Sequence, residues 1–153
     1  LNGDLLIVTQ NVDSLHEKAG SKNVIHMYGA LDKALCAACD HRWDAPMVTA
    51  PLDACPNCNA PATRPDVVWF GEIPYAMEKI AEALSEADVF VSIGTSGEVY
   101  PAVNFVAEAH HFGAHTVELN LEPSAGATRF AECRFGPASE IVPEWVLDEL
   151  ARG

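Results

Sequence analysis

The stretch "ADVFVSIGTSGEVYPA", Ala87–Ala102, decides the fold class. Val89 to Ile93 is apolar with one serine in it, and Gly94-Thr95-Ser96 then ends the run. An alternating strand has one wet face, whereas a continuously apolar one is covered on both faces, as strands of parallel sheets are. Working outward, Met77, Ile80, Ala81 and Leu84 fall at i, i+3, i+4 and i+7 and predict a helix with one apolar face. Val103, Val106 and Ala107, followed by a stop at Gly113, predict a second helix. "AHTVELNLEP", Ala114–Pro123, repeats the strand with a polar end. "EIVPEWVLDELARG", Glu140–Gly153, predicts one more short strand and a closing helix. Near the start, "DLLIVTQ" predicts a buried strand and "NVDSLHEKAG" a polar helical turn capped by Gly20. Strands alternating with helices define an α/β fold with a mostly parallel sheet.

The chain has 153 residues, 49% of them hydrophobic, enough for one domain or one domain with a small insert. No apolar run approaches the length of a membrane span. The start "LNGDLLIVTQN" lacks the basic region and cleavage site of a signal peptide, so the expectation is a soluble, cytoplasmic protein with no membrane partner. Its opening directly on a buried strand fits a piece of something longer. Nine Lys and Arg against 22 Asp and Glu give −13, a field that repels phosphate backbones, so nucleic acid is not an expected partner. The same charge serves solubility or the attraction of lysine-rich partners equally well.

From Cys36 to Arg64 the periodicity stops, and cysteines, prolines and small polar residues replace it. Cys36-x-x-Cys39 and Cys55-x-x-Cys58 are separated by 15 residues, the pattern of a four-thiolate zinc site. Four thiolates close the coordination sphere, so the metal is a staple and activates no water. Two disulfides or a redox dithiol are the alternatives; the first suits an oxidising compartment and the second needs one pair only. Arg42 and Arg64 are the insert's only Lys or Arg residues, against Asp40, Asp44 and Asp53, which disfavours a nucleic-acid ribbon. Cys133 stands outside the pattern and reads as a small buried apolar residue.

Ligands of open parallel sheets bind beyond the carboxyl ends of the strands. Three such ends here are polar: Gln10-Asn11-Val12-Asp13, Gly94-Thr95-Ser96 and Asn120-Leu121-Glu122. Singly, each is as easily a plain turn or a solvated strand end.

Together, "TQNVDSLHEKAG", the four cysteines, "PDVVWFGE", "GTSGEVYPA" and "ELNLEP" resemble, in order and spacing, the sirtuins, NAD-dependent protein-lysine deacylases, and most of all bacterial members akin to the desuccinylase class. The resemblance implies a Rossmann-like dinucleotide-binding domain (1–30 and 65–153) with an inserted zinc module (31–64). It implies NAD as cofactor, structural zinc, and acylated lysine peptides or proteins as substrates, with the acyl group passing to ADP-ribose as nicotinamide leaves. By motif, Gln10, Asn11, Val12 and Asp13 would lie around the nicotinamide and its ribose. Gly94, Thr95 and Ser96 would hold the central ribose and phosphate, and Asn120, Leu121, Glu122 and Ala138 the adenosine end. Val68, Trp69, Phe70, Gly71 and Glu72 would form the strand that pairs with the substrate backbone; plain core packing is the alternative for the two rings.

Two features depart from that family. The catalytic histidine before the glycine of its "HG" element is replaced by Tyr28, in "NVIHMYGALD". A phenol titrates near 10 and accepts a proton poorly at neutral pH, which typically costs a positioned base's 10²- to 10⁴-fold. In an extended segment His26 would share a face with Tyr28 but lie roughly 6 to 7 Å away, too far to substitute. The expectation is a scaffold impaired in turnover, with an inactive acyl-lysine or NAD-binding module as the alternative. The family's glycine-rich phosphate loop, of the type "GAGxSxxSGIPxFR", would also precede Leu1, and with it a central strand and the residues that select the acyl group.

Overall fold

The computed structural model describes residues 4–50 and 52–152. Internal contacts divide them into two compact units, 4–78 and 79–152.

In the first unit β1 (Ile7–Thr9) pairs in parallel with β2 (Val24–His26), Thr9 opposite His26. A single helical turn, α1 (Leu15–Lys18), joins them. It stops where the sequence predicts, because Gly20 takes φ +94° and donates its N–H to Glu17 O at 2.9 Å. A turn at Met27-Tyr28 leads into β3 (Gly29–Cys36), which pairs antiparallel with β4 (Arg42–Asp44) on one side and β5 (Thr63–Val67) on the other. The segment read as aperiodic is therefore organised around a three-stranded antiparallel sheet. Its strands escaped a periodicity reading because they are short, and because β3 shifts register between Ala30 and Ala34.

α2 (Met77–Glu86), in the second unit from Lys79 on, precedes a parallel sheet of order β6-β7-β8: β6 (Val89–Ile93), β7 (His115–Asn120) and β8 (Glu132–Phe135). A 3₁₀ turn, Ala102–Asn104, leads into α3 (Phe105–His111), and α4 (Ala138–Arg152) closes the chain. Val117 and Leu119 point to the face covered by Ile141 and Trp145 of α4. The opposite face, with Phe90 and Ser92, bounds a cavity of about 20 Å³ closed by Val103 and by Val106 of α3. Helices thus cover both sides of a parallel sheet, the arrangement read from Ala87–Ala102.

Several expectations need correction, among them Cys133, which was expected to be buried and is exposed. The strand placed at Glu140 is the first turns of α4; Pro143 and the β-branched Ile141-Val142 suggested a break, but the helix runs through the proline, and the strand lies earlier, at β8. The run "PDVVWFGE" is a strand only to Val67: Glu72 donates its N–H to Trp69 O at 2.9 Å, making Trp69–Glu72 a turn. β7 is buried from Thr116 to Leu119, but β6, hydrogen-bonded to β7 alone among the described residues, leaves Val89 and Ile93 exposed. On the helices Ile80, Leu84 and Val106 are buried as expected, while Ala81 and Ala107 are exposed.

Candidate functional site

The four cysteine sulfurs lie within 4.8 Å of one another. Cys36 Sγ is 3.7 Å from Cys58 Sγ, and Cys39 Sγ is 3.8 Å from Cys55 Sγ. A tetrahedral zinc with ~2.3 Å bonds to sulfur separates its ligands by about 3.8 Å, so the spacing fits the ion. Two equivalent knuckles build the cluster. In each, the first cysteine donates its N–H to the carbonyl five residues on, Cys36 to His41 and Cys55 to Ala60, both at 2.9 Å. The residue four on returns its N–H to the cysteine carbonyl from a left-handed backbone, Asp40 at φ 55° and Asn59 at φ 59°. The residue two on, Ala38 or Asn57, donates its N–H to the first sulfur at 3.4 Å. Asp and Asn tolerate that backbone better than other non-glycine residues, which explains their place after each pair. A backbone hydrogen bond at His41 and the Asn57 side chain hold the Cys39 thiol down at about 7. At Cys58 a backbone hydrogen bond at Ala60 opposes the Cys39 thiol, burial and the other two thiols, which push it up to about 12. Crowded thiols share their protons unequally, and a divalent cation removes that conflict.

Fifteen residues beyond Asp13, the turn after β2 delivers Tyr28 to the neighbourhood of the Gln10–Asp13 loop. Met27 N–H donates to Thr9 O at 3.2 Å and Leu31 N–H to Val12 O at 2.8 Å, so the Tyr28 turn is tied on both sides to the Gln10–Asp13 loop. Asn11 N–H bonds Thr9 Oγ1 at 3.1 Å, and Asp13 Oδ1 accepts the Leu15 N–H at 3.0 Å, shaping the loop as it enters α1. Tyr28 O accepts the Val68 N–H at 2.9 Å, which brings the "VVWFGE" segment alongside. Gly29 explains the glycine after this position: it sits at φ +82°, and a Cβ there would lie 2.0 Å from Asp66 O. Burial raises the Tyr28 phenol above its ordinary value of 10, which makes it a still poorer base.

His26 and Tyr28 do not share an extended segment, since β2 ends at His26 and the chain turns; the same-face geometry expected for them is corrected accordingly. His26 is committed elsewhere. Its Nε2 lies 2.8 Å from Glu17 Oε1, and its Nδ1 lies 3.3 Å from Asn11 O.

Val68 leaves β5 half-buried, while Trp69, Phe70, Gly71 and Glu72 are exposed in the turn. Phe70 is fully exposed at 110%, so core packing does not explain it. Two ion pairs hold this edge. Arg64 grips Glu72 with both terminal nitrogens, at 2.6 and 2.8 Å. Asp66, buried, accepts from Arg42 Nε at 3.0 Å and from the Tyr75 hydroxyl at 2.7 Å. Reading the sequence for site residues missed Arg42, Arg64, Asp66 and Tyr75. The available signal was the pair of lone cations in an acidic insert, both of which find carboxylates.

In the second unit the remaining residues expected around the cofactor converge at the carboxyl ends of β6 and β7. Ser92 Oγ and Thr95 Oγ1 are 3.0 Å apart, and Asn120 Nδ2 donates to Thr95 O at 2.7 Å. Ser96 O accepts from Ala125 N–H at 3.2 Å, and Asn120 Oδ1 accepts from Leu121 N–H at 3.0 Å. Buried Glu118 ties Ser124 N–H in at 3.1 Å, and Gly136 N–H bonds Asn120 O at 2.9 Å, holding Ala138, the first residue of α4, beside the same strand end. Gly94, Ser96, Leu121, Glu122 and Ala138 are exposed there. Small residues, hydroxyls and one carboxylate at the ends of parallel strands can accommodate a ribose and phosphate.

An α/β unit with such strand ends, joined in one chain to a four-cysteine knuckle pair, defines a class, and the comparisons agree with it. Residues 2–101 match the Sir2 family, and the chain belongs to that family. An NAD-dependent protein deacylase of Pasteurella multocida is 55% identical over 98% of this chain and 64% of its own length. One of Escherichia coli K12 is 54% identical over all of this chain and 55% of its own length. Among solved structures, a Sir2 homolog–NAD complex superposes with a TM-score of 0.85 at 33% identity, over 94% of this chain and 57% of the other. A complex described as Sir2–p53 peptide–NAD+ gives 0.81 at 26% identity, over 97% and 64%. The chain therefore spans between about half and two thirds of the length of the relatives it matches. Among the described residues no helix is long and apolar enough to cross a membrane.

Proposed function

We propose that this chain carries the acyl-lysine and adenosine-side segments of an NAD-dependent protein-lysine deacylase, with Tyr28 in the position of the general base. The observation that carries the reading is the backbone connection of three segments far apart in sequence, Gln10–Asp13, Tyr28 and Val68, through Leu31–Val12, Met27–Thr9 and Val68–Tyr28 hydrogen bonds. On this reading 31–64 is the zinc module, stapled by Cys36, Cys39, Cys55 and Cys58, and 1–30 with 65–153 is the dinucleotide-binding part. Bound NAD supplies a labile bond to nicotinamide and a ribose that accepts the acyl group. Gln10, Asn11, Val12 and Asp13 orient the nicotinamide end, Gly94, Thr95 and Ser96 the central ribose and phosphate, and Asn120, Leu121, Glu122 and Ala138 the adenosine end. Val68–Glu72 receives an acetylated or succinylated lysine peptide through exposed backbone and the faces of Trp69 and Phe70. Four cysteines kept reduced and free to ligate as thiolates suit a reducing, cytoplasmic compartment.

A second reading, a binding module that holds acyl-lysine peptide or NAD without turnover, is favoured by Tyr28 itself. Its half-buried phenol keeps its proton at neutral pH and can donate a hydrogen bond but accepts a proton poorly. Mass spectrometry of acetylated and succinylated lysine peptides incubated with NAD and either this chain or Tyr28→His separates the two. The deacylase reading expects acyl loss to rise about 10²- to 10⁴-fold with histidine. No acyl loss from either protein, with peptide still bound, supports the binding module. Equal, rapid turnover by both would remove Tyr28 from the account.

A further inference from the structure

Glu72 belongs to the segment assigned to the substrate, yet its carboxylate is already occupied. Oε1 accepts from Arg64 Nη1 at 2.6 Å, while Oε2 accepts from Arg64 Nη2 at 2.8 Å and from the Trp69 N–H at 2.9 Å. Arg64 adds two contacts to the same turn: Nη2 donates to Val67 O at 2.7 Å, and its guanidinium carbon lies 4.0 Å from the centre of the Trp69 ring. A planar fork of this kind fixes direction as well as distance, which a lysine ammonium does not. The Arg64 side chain is 16% exposed and its Nε is buried without a partner, a cost that these contacts offset. Its position follows from the metal sheet. Arg64 faces Leu35 across the β3–β5 ladder, and the next pair along is Cys36 with Thr63.

We propose that Arg64 is the positioning residue of the acyl-lysine segment: it carries the rigidity of the metal-stapled sheet one register step to the Val68–Glu72 turn, and Glu72 acts on that turn rather than on the peptide. The inference rests on the deacylase reading for the identity of the ligand. The clamp presents Trp69 and Phe70 outward, 56% and 110% exposed, with the guanidinium carbon of Arg64 over the Trp69 ring. A peptide then meets a preformed surface and does not have to order it.

The test uses a fluorescein-labelled acetyl-lysine peptide and hydrogen exchange on the unmodified chain, Glu72→Gln and Arg64→Lys. Glu72→Gln keeps the shape and removes the charge; Arg64→Lys keeps the charge and removes the fork. Both are expected to weaken peptide binding about tenfold or more and to speed exchange of the Trp69 amide, with zinc content unchanged and the melting temperature lowered only slightly. A merely structural role would instead move melting and metal content with affinity. If the unmodified chain binds the peptide and both variants match it, the positioning role is overturned and the deacylase reading stands. If the Trp69 amide responds but the unmodified chain binds no acylated peptide, the clamp stands as local structure, and the acyl-lysine reading and the positioning role fall together. Unchanged Trp69 exchange in Glu72→Gln overturns the clamp itself.

Discussion

The two units are held together by different physics. In 79–152 Val117, Leu119, Ile141 and Trp145 form a core between sheet and helix, with Phe105, Val106, Ile80 and Leu84 buried as well. In 4–78 the buried apolar side chains other than cysteine among the described residues are Met27, Ala34 and Leu35. What that unit has instead is polar and specific: a four-sulfur cluster, the Arg42–Asp66–Tyr75 network, the Arg64–Glu72 fork and the His26–Glu17 contact. A thin core cannot absorb the ordering entropy of 75 residues by area alone, and directional contacts with metal take its place. Such contacts also fix geometry more narrowly than packing does, and they cluster beside the segments assigned to catalysis and substrate.

Metal removal should break the comparison most sharply. Zinc binding in small cysteine modules is worth about 10–16 kcal/mol and is largely folding free energy. Chelation, or Cys36→Ala, is expected to abolish exchange protection in β3–β5 while α3, α4 and β7 keep theirs. Elemental analysis should show about one zinc per chain falling to none. Uniform loss of protection in both units would refute the contrast.

Truncating the apolar half comes next. Trp145→Ala is expected to cost about 3–5 kcal/mol by denaturant titration, with zinc content intact. Because Trp145 Nε1 is buried without a partner, Trp145→Phe should cost much less, about 1 kcal/mol. A large loss in the Phe variant would mean that the indole nitrogen is paired after all.

Gly29→Ala should destabilise 4–78 by about 3 kcal/mol, because strain at φ +82° adds to a Cβ placed 2.0 Å from the Asp66 carbonyl. Its signature is lost protection at Met27, Leu31 and Val68, whose N–H groups flank the Tyr28 turn.

The smallest effect is local and acid-dependent. The Arg64 hydrogen bonds, with the Trp69 N–H, hold Glu72 down from 4.5 to about 2. A depressed carboxyl contributes its full stabilisation above its ordinary range and loses it as pH falls from about 4.5 towards 2. Trp69 fluorescence should change across that window, and Glu72→Gln should remove the change; recording zinc in the same titration separates it from thiolate protonation.

What the sequence disclosed follows the same division. The zinc cluster was legible because two short spacings specify it, and the parallel sheet because continuous apolar runs are a local signal. Pro143 hid the start of α4, since a proline in the second turn of a helix reads as a break. "VVWFGE" read as a strand because its residues favour one, whereas the turn is imposed by Arg64, eight positions from its partner Glu72. The pairing of Val12 with Leu31 and of Tyr28 with Val68 was not legible, because contacts between backbone groups leave no mark on residue identity.

Gly29 and its neighbour also set how this protein can drift. The Asp66 carbonyl closes position 29 to every side chain, so a substitution there is removed by misfolding before any effect on chemistry can matter. Position 28 carries its half-buried ring on the other side of that constraint and accepts a phenol with the surrounding backbone bonds in place. Adjacent residues therefore face different constraints: backbone space fixes the glycine, whereas the ring at 28 can be exchanged, tyrosine for histidine included, through a single codon without first rebuilding the scaffold.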